Sequence, residues 1–194
     1  MNVAPVTLEG RVVRLEPLAE SHYSGLCEVG LDPELWTWTN VGVATAEEMA
    51  EYIRNALAAQ AAGTALTFAT ILRESGRPIG GTRFMNIEPA HRKVEVGFTW
   101  IGRPWQRTAV NAEAKYLMLR HAFEVWNCLR VELKTDALNR KSREAIQRIG
   151  AAEEGVLRKH MITASGRVRD TVYYSILDTE WPRVKADLEK RLAA

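Results

Sequence analysis

The period of the apolar pattern changes partway along the chain, and this change constrains the fold more than any other feature. Segments 66–72, 79–87 and 94–101 alternate or are rich in β-branched and aromatic residues, which predicts three strands. Short turns separate them, so we expect an antiparallel meander. From Ala109 to Trp126, apolar residues recur at spacings of three and four, which predicts a long helix.

Further elements are predicted on both sides of this unit. They are a strand at 11–15, a helix at 19–29, a helix from a Thr45–Glu48 capping box to about Ala61, a strand at 129–135, a helix at 139–149, strands at 156–162 and 171–177, and a last helix ending near Leu192. This order predicts a mixed α/β domain with one sheet and helices on its faces. Because no linker or repeat interrupts it, we expect one domain over residues 1–194.

Composition excludes several classes of protein. The chain has 194 residues, 46% of them hydrophobic, which is enough for one domain with a core. The 26 basic and 24 acidic residues nearly balance, which disfavours a nucleic-acid partner. No signal peptide and no apolar stretch of about 20 residues is visible, so we expect a cytoplasmic protein without a membrane segment. The cysteines and histidines lack metal-ligand spacing, so we expect no metal.

The loop that leads into the long helix is the first candidate for a binding site. Residues 103–111 connect the strand at 94–101 to the start of this helix, where backbone amides lack partners and the helix dipole is positive. Ala109 is small enough for a phosphate to approach the backbone, and Arg107 adds a positive charge. These features indicate an anion site, but any helix N-terminus can bind an anion, so the residues alone leave the ligand open.

Residues 95–114 resemble the central motif of the GNAT N-acetyltransferases, most closely of the RimJ/RimL-like branch. The family loop, Gln/Arg-x-x-Gly-x-Gly/Ala, holds the pyrophosphate of coenzyme A with its backbone amides. Gln106 matches its first position, whereas Ala109 and Asn111 replace the usual small residues. The resemblance implies a GNAT-like α+β fold with a mostly antiparallel central sheet. It also implies cofactor contacts from Gln106, Arg107, Thr108, Ala109, Val110 and Asn111.

A second segment, 136–151, is similar to the Asn-x-x-Ser/Ala helix that lies along the pantetheine arm in this family. Asn139 and Ser142 occupy its two motif positions, so both are implied as cofactor contacts. Many members use a tyrosine later in this helix as the acid that protonates coenzyme A. Here Ile146 stands at that position, and Ser142 is the substitute by position. A helix-surface hydroxyl or a hydrogen bond to the cofactor are the alternatives for Ser142.

Glu95 is the candidate general base. Acetyl transfer to an amine requires that the ammonium lose a proton, that the oxyanion be stabilised and that the thiolate be protonated. Glu95 precedes the cofactor loop, where the family often places an active-site carboxylate, and it would act directly or through water. The alternative is a structural ion pair with Arg92 or Lys93. Family members usually use direct attack, and neither cysteine occupies a motif position.

Two tryptophans are candidates for the acceptor side. Trp36 and Trp38 lie between the first two predicted helices, in a loop that often borders the acceptor pocket in this family. Two aromatic residues separated by one position in an extended loop point the same way, which suggests a pocket wall. A packed lid without ligand contact is the alternative.

The resemblance therefore predicts an N-acetyltransferase that uses acetyl-CoA. Its acceptor would be a primary amine, such as a protein N-terminus, an amino acid or another small amine. Related proteins are often dimers, which leaves a homodimer open. The departures at Ala109, Asn111 and Ile146 keep a second function open, namely a GNAT-like domain that binds acyl-CoA as a sensor or scaffold without catalysis.

Overall fold

The alternating and helical segments of the sequence form one sheet and its flanking helices in a computed structural model, which describes residues 1–193. In this part of the chain the strands are β1 (Leu8–Glu9), β2 (Val13–Pro17), β3 (Ala65–Leu72), β4 (Pro78–Glu88), β5 (Lys93–Ile101), β6 (Arg130–Asp136), β7 (Ala152–Ile162) and β8 (Val168–Leu177). The α-helices are α1 (Tyr23–Gly30), α2 (Ala46–Ala61), α3 (Ala109–Arg120), α4 (Arg140–Arg148) and α5 (Trp181–Ala193).

The sheet is antiparallel except at one pair of strands. Its order is β1-β2-β3-β4-β5-β6-β8-β7, which confirms the meander β3-β4-β5, and β5 and β6 run parallel. The parallel pairing extends only from Lys93 opposite Arg130 to Glu95 opposite Glu132. Beyond Glu95 the register of β5 against β4 shifts, and Phe98 has a positive φ of 48°. The two parallel strands therefore separate toward their C-terminal ends.

Helices cover the two faces of the sheet differently. On the first face, α1 and α2 pack over β3 and β4 around a smaller apolar core. On the second face, α3, α4 and α5 enclose the main core. Glu95, Lys134 and Tyr173 lie on the first face, beyond α2, because cross-strand neighbours point to the same side of a sheet. Glu95, Lys134 and Tyr173 thus share one side of β5, β6 and β8, which we call the polar face.

A buried carboxylate ties α3 to the N-terminal strands. Glu113 accepts hydrogen bonds from the backbone amides of Arg11 at 2.9 Å, Val12 at 2.7 Å and Val13 at 2.7 Å. These amides belong to the turn between β1 and β2 and to Val13, the first residue of β2, so Glu113 holds that turn against the helix. Gly10 is required in the turn, because a Cβ there would lie 2.4 Å from a carboxylate oxygen of Glu113.

Local sequence signals predicted most element boundaries to within a few residues. The capping box before α2 is confirmed, with Thr45 Oγ accepting from the Glu48 amide and Glu48 accepting from the Thr45 amide. The predicted helix 109–126 differs in its last turn, because α3 ends at Arg120 and a π-helical turn, His121–Val125, follows. Strand β1 was not predicted. None of the helices in residues 1–193 has the length and apolar character needed to cross a membrane.

Candidate functional site

The loop before α3 has the geometry of an anion site. A 3-10 turn, Arg103–Trp105, is followed by Arg107, whose φ of 62° redirects the chain into the helix. Arg107, Thr108 and Ala109 are exposed, and their amides precede the hydrogen-bonded turns of the helix, where they can donate to a ligand. Thr108 is the N-cap, because its Oγ accepts from the Val110 amide at 3.3 Å.

Gln106, Val110 and Asn111 stabilise this conformation of the loop and of the first helical turn. The side-chain amide of Gln106 donates to the Ile101 carbonyl at 2.9 Å and so closes the loop onto the end of β5. Val110 is buried in the main core, and Asn111 is half-buried on the first turn of α3. A ligand at this helix end would therefore meet backbone amides, the small side chain of Ala109 and the charge of Arg107.

The start of α4 lies at the same edge of the sheet as the start of α3. Since β5 and β6 are parallel, the helices that follow them begin on either side of the gap between the strands. Asn139 is the N-cap of α4, and its Oδ1 accepts from the Ser142 amide at 3.1 Å. Within residues 1–193, the side-chain nitrogen Nδ2 of Asn139 and the Ser142 hydroxyl have no hydrogen-bond partner. Ile146, at the family's tyrosine position, is buried in the core.

Glu95 is 1% exposed and lies at the last position of β5 that pairs with β6. Its Oε2 accepts from Asn86 Nδ2 at 2.8 Å and from Lys134 Nζ at 3.0 Å. Its Oε1 is buried without a hydrogen-bond partner in the described part of the chain. One oxygen is therefore fixed by two donors, while the other has no partner in residues 1–193.

The predicted ion-pair partners of Glu95 were wrong. Arg92 lies in a left-handed conformation at the end of a 3-10 turn, and its Nε donates to the Asn127 carbonyl at 2.7 Å. Lys93 pairs instead with Glu88 at 2.8 Å. The actual partner is Lys134. Glu95 lies opposite Glu132 in the parallel pair, and Lys134 is two residues beyond Glu132, so its side chain points to the same side of the sheet as that of Glu95.

Additional polar residues from β6, β7 and β8 lie beside Lys134. The Lys134 ammonium is 5.6 Å from the ring centroid of Tyr173, whose ring centroid is 5.8 Å from that of His160. Partial burial, together with the positive charges of Lys134 and Arg169, lowers the pKa of His160. Sequence analysis missed these residues because they are distant in the chain. Their signal is the alternation of charged residues with buried ones along β6.

Trp36 lies in the smaller core and does not line an acceptor pocket at the polar face, contrary to the sequence-based expectation. It is 4% exposed, its Nε1 donates to the Gly30 carbonyl at 2.8 Å, and its ring packs against Tyr52 and Trp100. The expectation failed because Pro33–Trp36 forms a 3-10 turn rather than an extended loop, so the two tryptophans point in different directions.

Trp38 lies next to the polar face. Its carbonyl accepts from Arg169 Nη1 at 3.1 Å, and its ring centroid is 5.6 Å from the Arg167 guanidinium. Arg167 also forms an ion pair with the buried carboxylate of Asp136. The loop that carries Trp38 is therefore joined to the β7–β8 hairpin beside Glu95 and Lys134.

A buried lysine lies on the opposite face of the sheet, beneath the irregular part of β5. Lys115, on α3, is 6% exposed, and its Nζ donates to Thr99 Oγ1 at 2.5 Å. Thr99 Oγ1 is also 2.8 Å from Thr82 Oγ1. No carboxylate in residues 1–193 forms an ion pair with Lys115, and burial lowers the pKa of its ammonium to about 7.

Comparisons with known proteins identify the family and the fold. Residues 13–152 match the acetyltransferase (GNAT) domain family. A crystal structure from T. thermophilus, assigned as an acetyltransferase, is 38% identical, with a TM-score of 0.90, covering 99% of this chain and 100% of that chain. RimJ of Mycobacterium smegmatis, solved with CoA-disulfide, shares the fold at 22% identity and a TM-score of 0.84, with 96% and 95% coverage.

One curated relative matches over a shorter range. YdaF of Bacillus subtilis (strain 168), assigned as a ribosomal N-acetyltransferase, is 34% identical over 96 residues, and the match spans about half of each chain, 50% of this one and 51% of YdaF. The family match contains β5, the loop before α3 and the start of α4, which are the elements that form the gap beside Glu95. This chain belongs to the GNAT acetyltransferase family.

Proposed function

We propose that this protein transfers the acetyl group of acetyl-CoA to a primary amine, by direct attack of the amine on the thioester. The observation that carries the proposal is the position of Glu95. Its Oε1, which has no hydrogen-bond partner in residues 1–193, is buried where β5 and β6 separate, at the edge where α3 and α4 begin. A carboxylate there can take a proton from an amine, directly or through water.

The residues at the two helix starts fit coenzyme A. The exposed amides of Arg107, Thr108 and Ala109 would hold the pyrophosphate, and Ala109 leaves room for it. Asn139 Nδ2 and the Ser142 hydroxyl would contact the pantetheine arm. Acetyl-CoA supplies an acetyl group that is already activated as a thioester.

Two proton transfers are needed, and residues on opposite sides of the gap would perform them. Lys134 and Asn86 hold one oxygen of Glu95, which orients the other toward the amine. Because Ile146 is buried in the core, Ser142 is our candidate for protonating the leaving thiolate. Trp38, beside the polar face, would line the acceptor side.

We include protein N-termini among the acceptors, together with amino acids and other small amines. YdaF, with which this chain shares 34% identity, is assigned as a ribosomal N-acetyltransferase. The alignment covers about half of each protein, so the relative supports the class of acceptor rather than a particular one.

A second candidate function is acyl-CoA binding without catalysis. The observation in its favour is the ion pair of Glu95 with Lys134, which would give the glutamate a structural role. In that case the loop before α3 would still bind the cofactor, but no amine would be acetylated.

Titration calorimetry with acetyl-CoA, followed by a thiol-release assay against a panel of amines, separates these functions. We expect binding, and release of free coenzyme A with at least one amine. Binding without turnover on any amine would favour the sensor, and absence of binding would eliminate both functions. The exposed Glu51 of α2 provides a matched control, since Glu51→Gln should leave binding and turnover unchanged.

A further inference from the structure

The charges on the polar face do not balance. Its two buried carboxylates each have a basic partner, Lys134 for Glu95 and Arg167 for Asp136. Arg169 lies beside them, and no carboxylate in residues 1–193 forms an ion pair with it. The face therefore contains a cation for which the described chain provides no direct counter-ion.

Arg169 is held in place by two hydrogen bonds, and Nη2 of its guanidinium has no hydrogen-bond partner in residues 1–193. The side chain is 7% exposed, Nε donates to Thr171 Oγ1 at 3.0 Å, and Nη1 donates to the Trp38 carbonyl at 3.1 Å. Burial lowers its pKa, while the negative charges of Asp136 and Glu95 act on it through space. A buried, unpaired cation is costly, and a guanidinium matches a carboxylate with two parallel hydrogen bonds.

Glu95 and Arg169 lie on the same side of the sheet and are connected by a short series of contacts. Lys134 donates to Glu95 at 3.0 Å and is the cross-strand partner of Tyr173, and Thr171, two residues before Tyr173, accepts from Arg169 Nε at 3.0 Å. An acceptor whose amine faces Glu95 Oε1 would therefore extend toward Arg169. An anionic group on that acceptor would supply the missing counter-ion.

We propose that the amine acceptor carries a carboxylate and that Arg169 binds it. This inference rests on the proposed function and narrows its substrate class. The carboxylate could belong to a free amino acid or to an acidic side chain near a peptide N-terminus, since the two share the same chemistry. Arg169 acts here as a specificity-determining residue, apart from the proton transfer at Glu95.

The competing explanation is structural. Arg169 also tethers the Trp38 loop, and loss of the tether would impair all acceptors alike. A second arginine, Arg83, is a competing carboxylate ligand, because its Nε is buried without a partner in residues 1–193. Its guanidinium is 4.1 Å from the ring centroid of Phe98. The experiment therefore compares acceptors that differ only in the carboxylate, and it includes variants of both arginines.

The kinetic test uses matched acceptors. Amino acids are compared with their amides, and peptides with Glu at the second position with peptides carrying Gln there. For the wild type we expect kcat/KM to be at least about tenfold higher for the carboxylate form of one of these pairs, a typical margin for a bidentate charged contact. Arg169→Met should abolish this preference mainly through KM, while the exposed Arg158 serves as control, with Arg158→Met keeping it.

Three kinetic outcomes would overturn the inference. They are equal use of the two forms by the wild type, an equal loss for both forms in Arg169→Met, and a preference abolished by Arg83→Met but not by Arg169→Met. The pair that shows the preference distinguishes a free amino acid from an acidic peptide.

A binding measurement separates failure of this inference from failure of the proposed function. Glutarate is titrated into the protein saturated with acetyl-CoA, so that the cofactor site is occupied, and Tm is recorded. We expect Tm to rise for the wild type and for Arg158→Met but not for Arg169→Met. No rise in the wild type would overturn carboxylate binding even if amines are acetylated. A rise without any turnover would overturn the transfer reaction alone.

Discussion

Glu113 and Glu95 are both buried glutamates, and they differ in what their carboxylate oxygens contact. The oxygens of Glu113 accept three backbone amides from the turn between β1 and β2. Glu95 accepts two side-chain donors on one oxygen and none from the described chain on the other. The first arrangement fixes two elements together, whereas the second leaves a buried oxygen available for chemistry. The number of partners therefore distinguishes a structural carboxylate from a candidate catalytic one.

The largest expected effect tests the catalytic side of this comparison. Glu95→Gln should lower kcat/KM for the amine by about 10²–10⁴-fold, because an amide cannot take the proton that a general base removes. Folding should be retained, since glutamine has the same shape and can still accept from Lys134. Thiol-release kinetics and thermal melting measure the two effects. Full activity with an unchanged pH–rate profile would remove Glu95 from the mechanism.

For Glu113, the structural carboxylate, we expect the opposite phenotype, which is lower stability with cofactor binding retained. Glu113→Ala should reduce the free energy of unfolding by about 3 kcal/mol or more, because three backbone amides lose their acceptor. Glu113→Gln should lose less, since one acceptor oxygen remains. Urea unfolding measures both variants, and calorimetry should show that the folded fraction still binds acetyl-CoA. A loss below about 1 kcal/mol for the alanine variant would contradict the assigned role.

Lys115 extends the comparison to a buried lysine with which no carboxylate in residues 1–193 forms an ion pair. Burial lowers its pKa from 10.5 to about 7, so between these values the unfolded chain carries a proton that the folded chain lacks. Stability from this group therefore rises with pH across that window, by about 1.4 kcal/mol per pH unit. Below pH 7 both states are protonated and the contribution is constant.

Lys115→Met should remove this dependence. The gain in stability of the variant over the wild type should be greatest below pH 7 and should shrink as the pH rises toward 10.5. Chemical unfolding at a series of pH values provides the measurement. Parallel curves for the two proteins would show that Lys115 is not a buried charge.

The smallest expected effect concerns the cofactor side. Arg107 is exposed, so its contact with phosphate should contribute less than about 1 kcal/mol. Arg107→Ala should therefore raise KM for acetyl-CoA two- to fivefold, by rough estimate, without changing kcat, and salt should reduce the difference. The exposed Arg54 on α2 is a suitable control. A fall in kcat would mean that this loop acts in catalysis as well as in binding.

The parts of the fold that depend on neighbouring residues could be predicted from the sequence. The capping box at Thr45 and the meander β3-β4-β5 are such cases, because hydrophobic period and short turns determine them. The π-helical turn after Arg120 was not predicted, since its apolar spacing differs little from that of an α-helix. The position of Trp36 also depended on tertiary packing, against Tyr52 and Trp100.

The residues of the candidate site also fall into those that could be predicted from neighbouring sequence and those that could not. Gln106, Asn139 and Glu95 could be selected because family motifs record short segments. Lys134 and Arg169 could not, because they become neighbours of Glu95 only through the order β5-β6-β8 in the sheet. A sequence pattern identifies which residues follow one another, whereas ion pairs and charge balance depend on which strands are adjacent.

The short parallel pairing of β5 with β6 also determines how the two parts of the sheet are held together. The hydrogen-bonded connection between the N-terminal and C-terminal strands is limited to the three residue pairs that begin at Lys93 and Arg130. The main core contains side chains from both parts, among them Val96 of β5 and Val131 of β6. Apolar packing, in addition to backbone hydrogen bonding, therefore joins the two parts across this boundary.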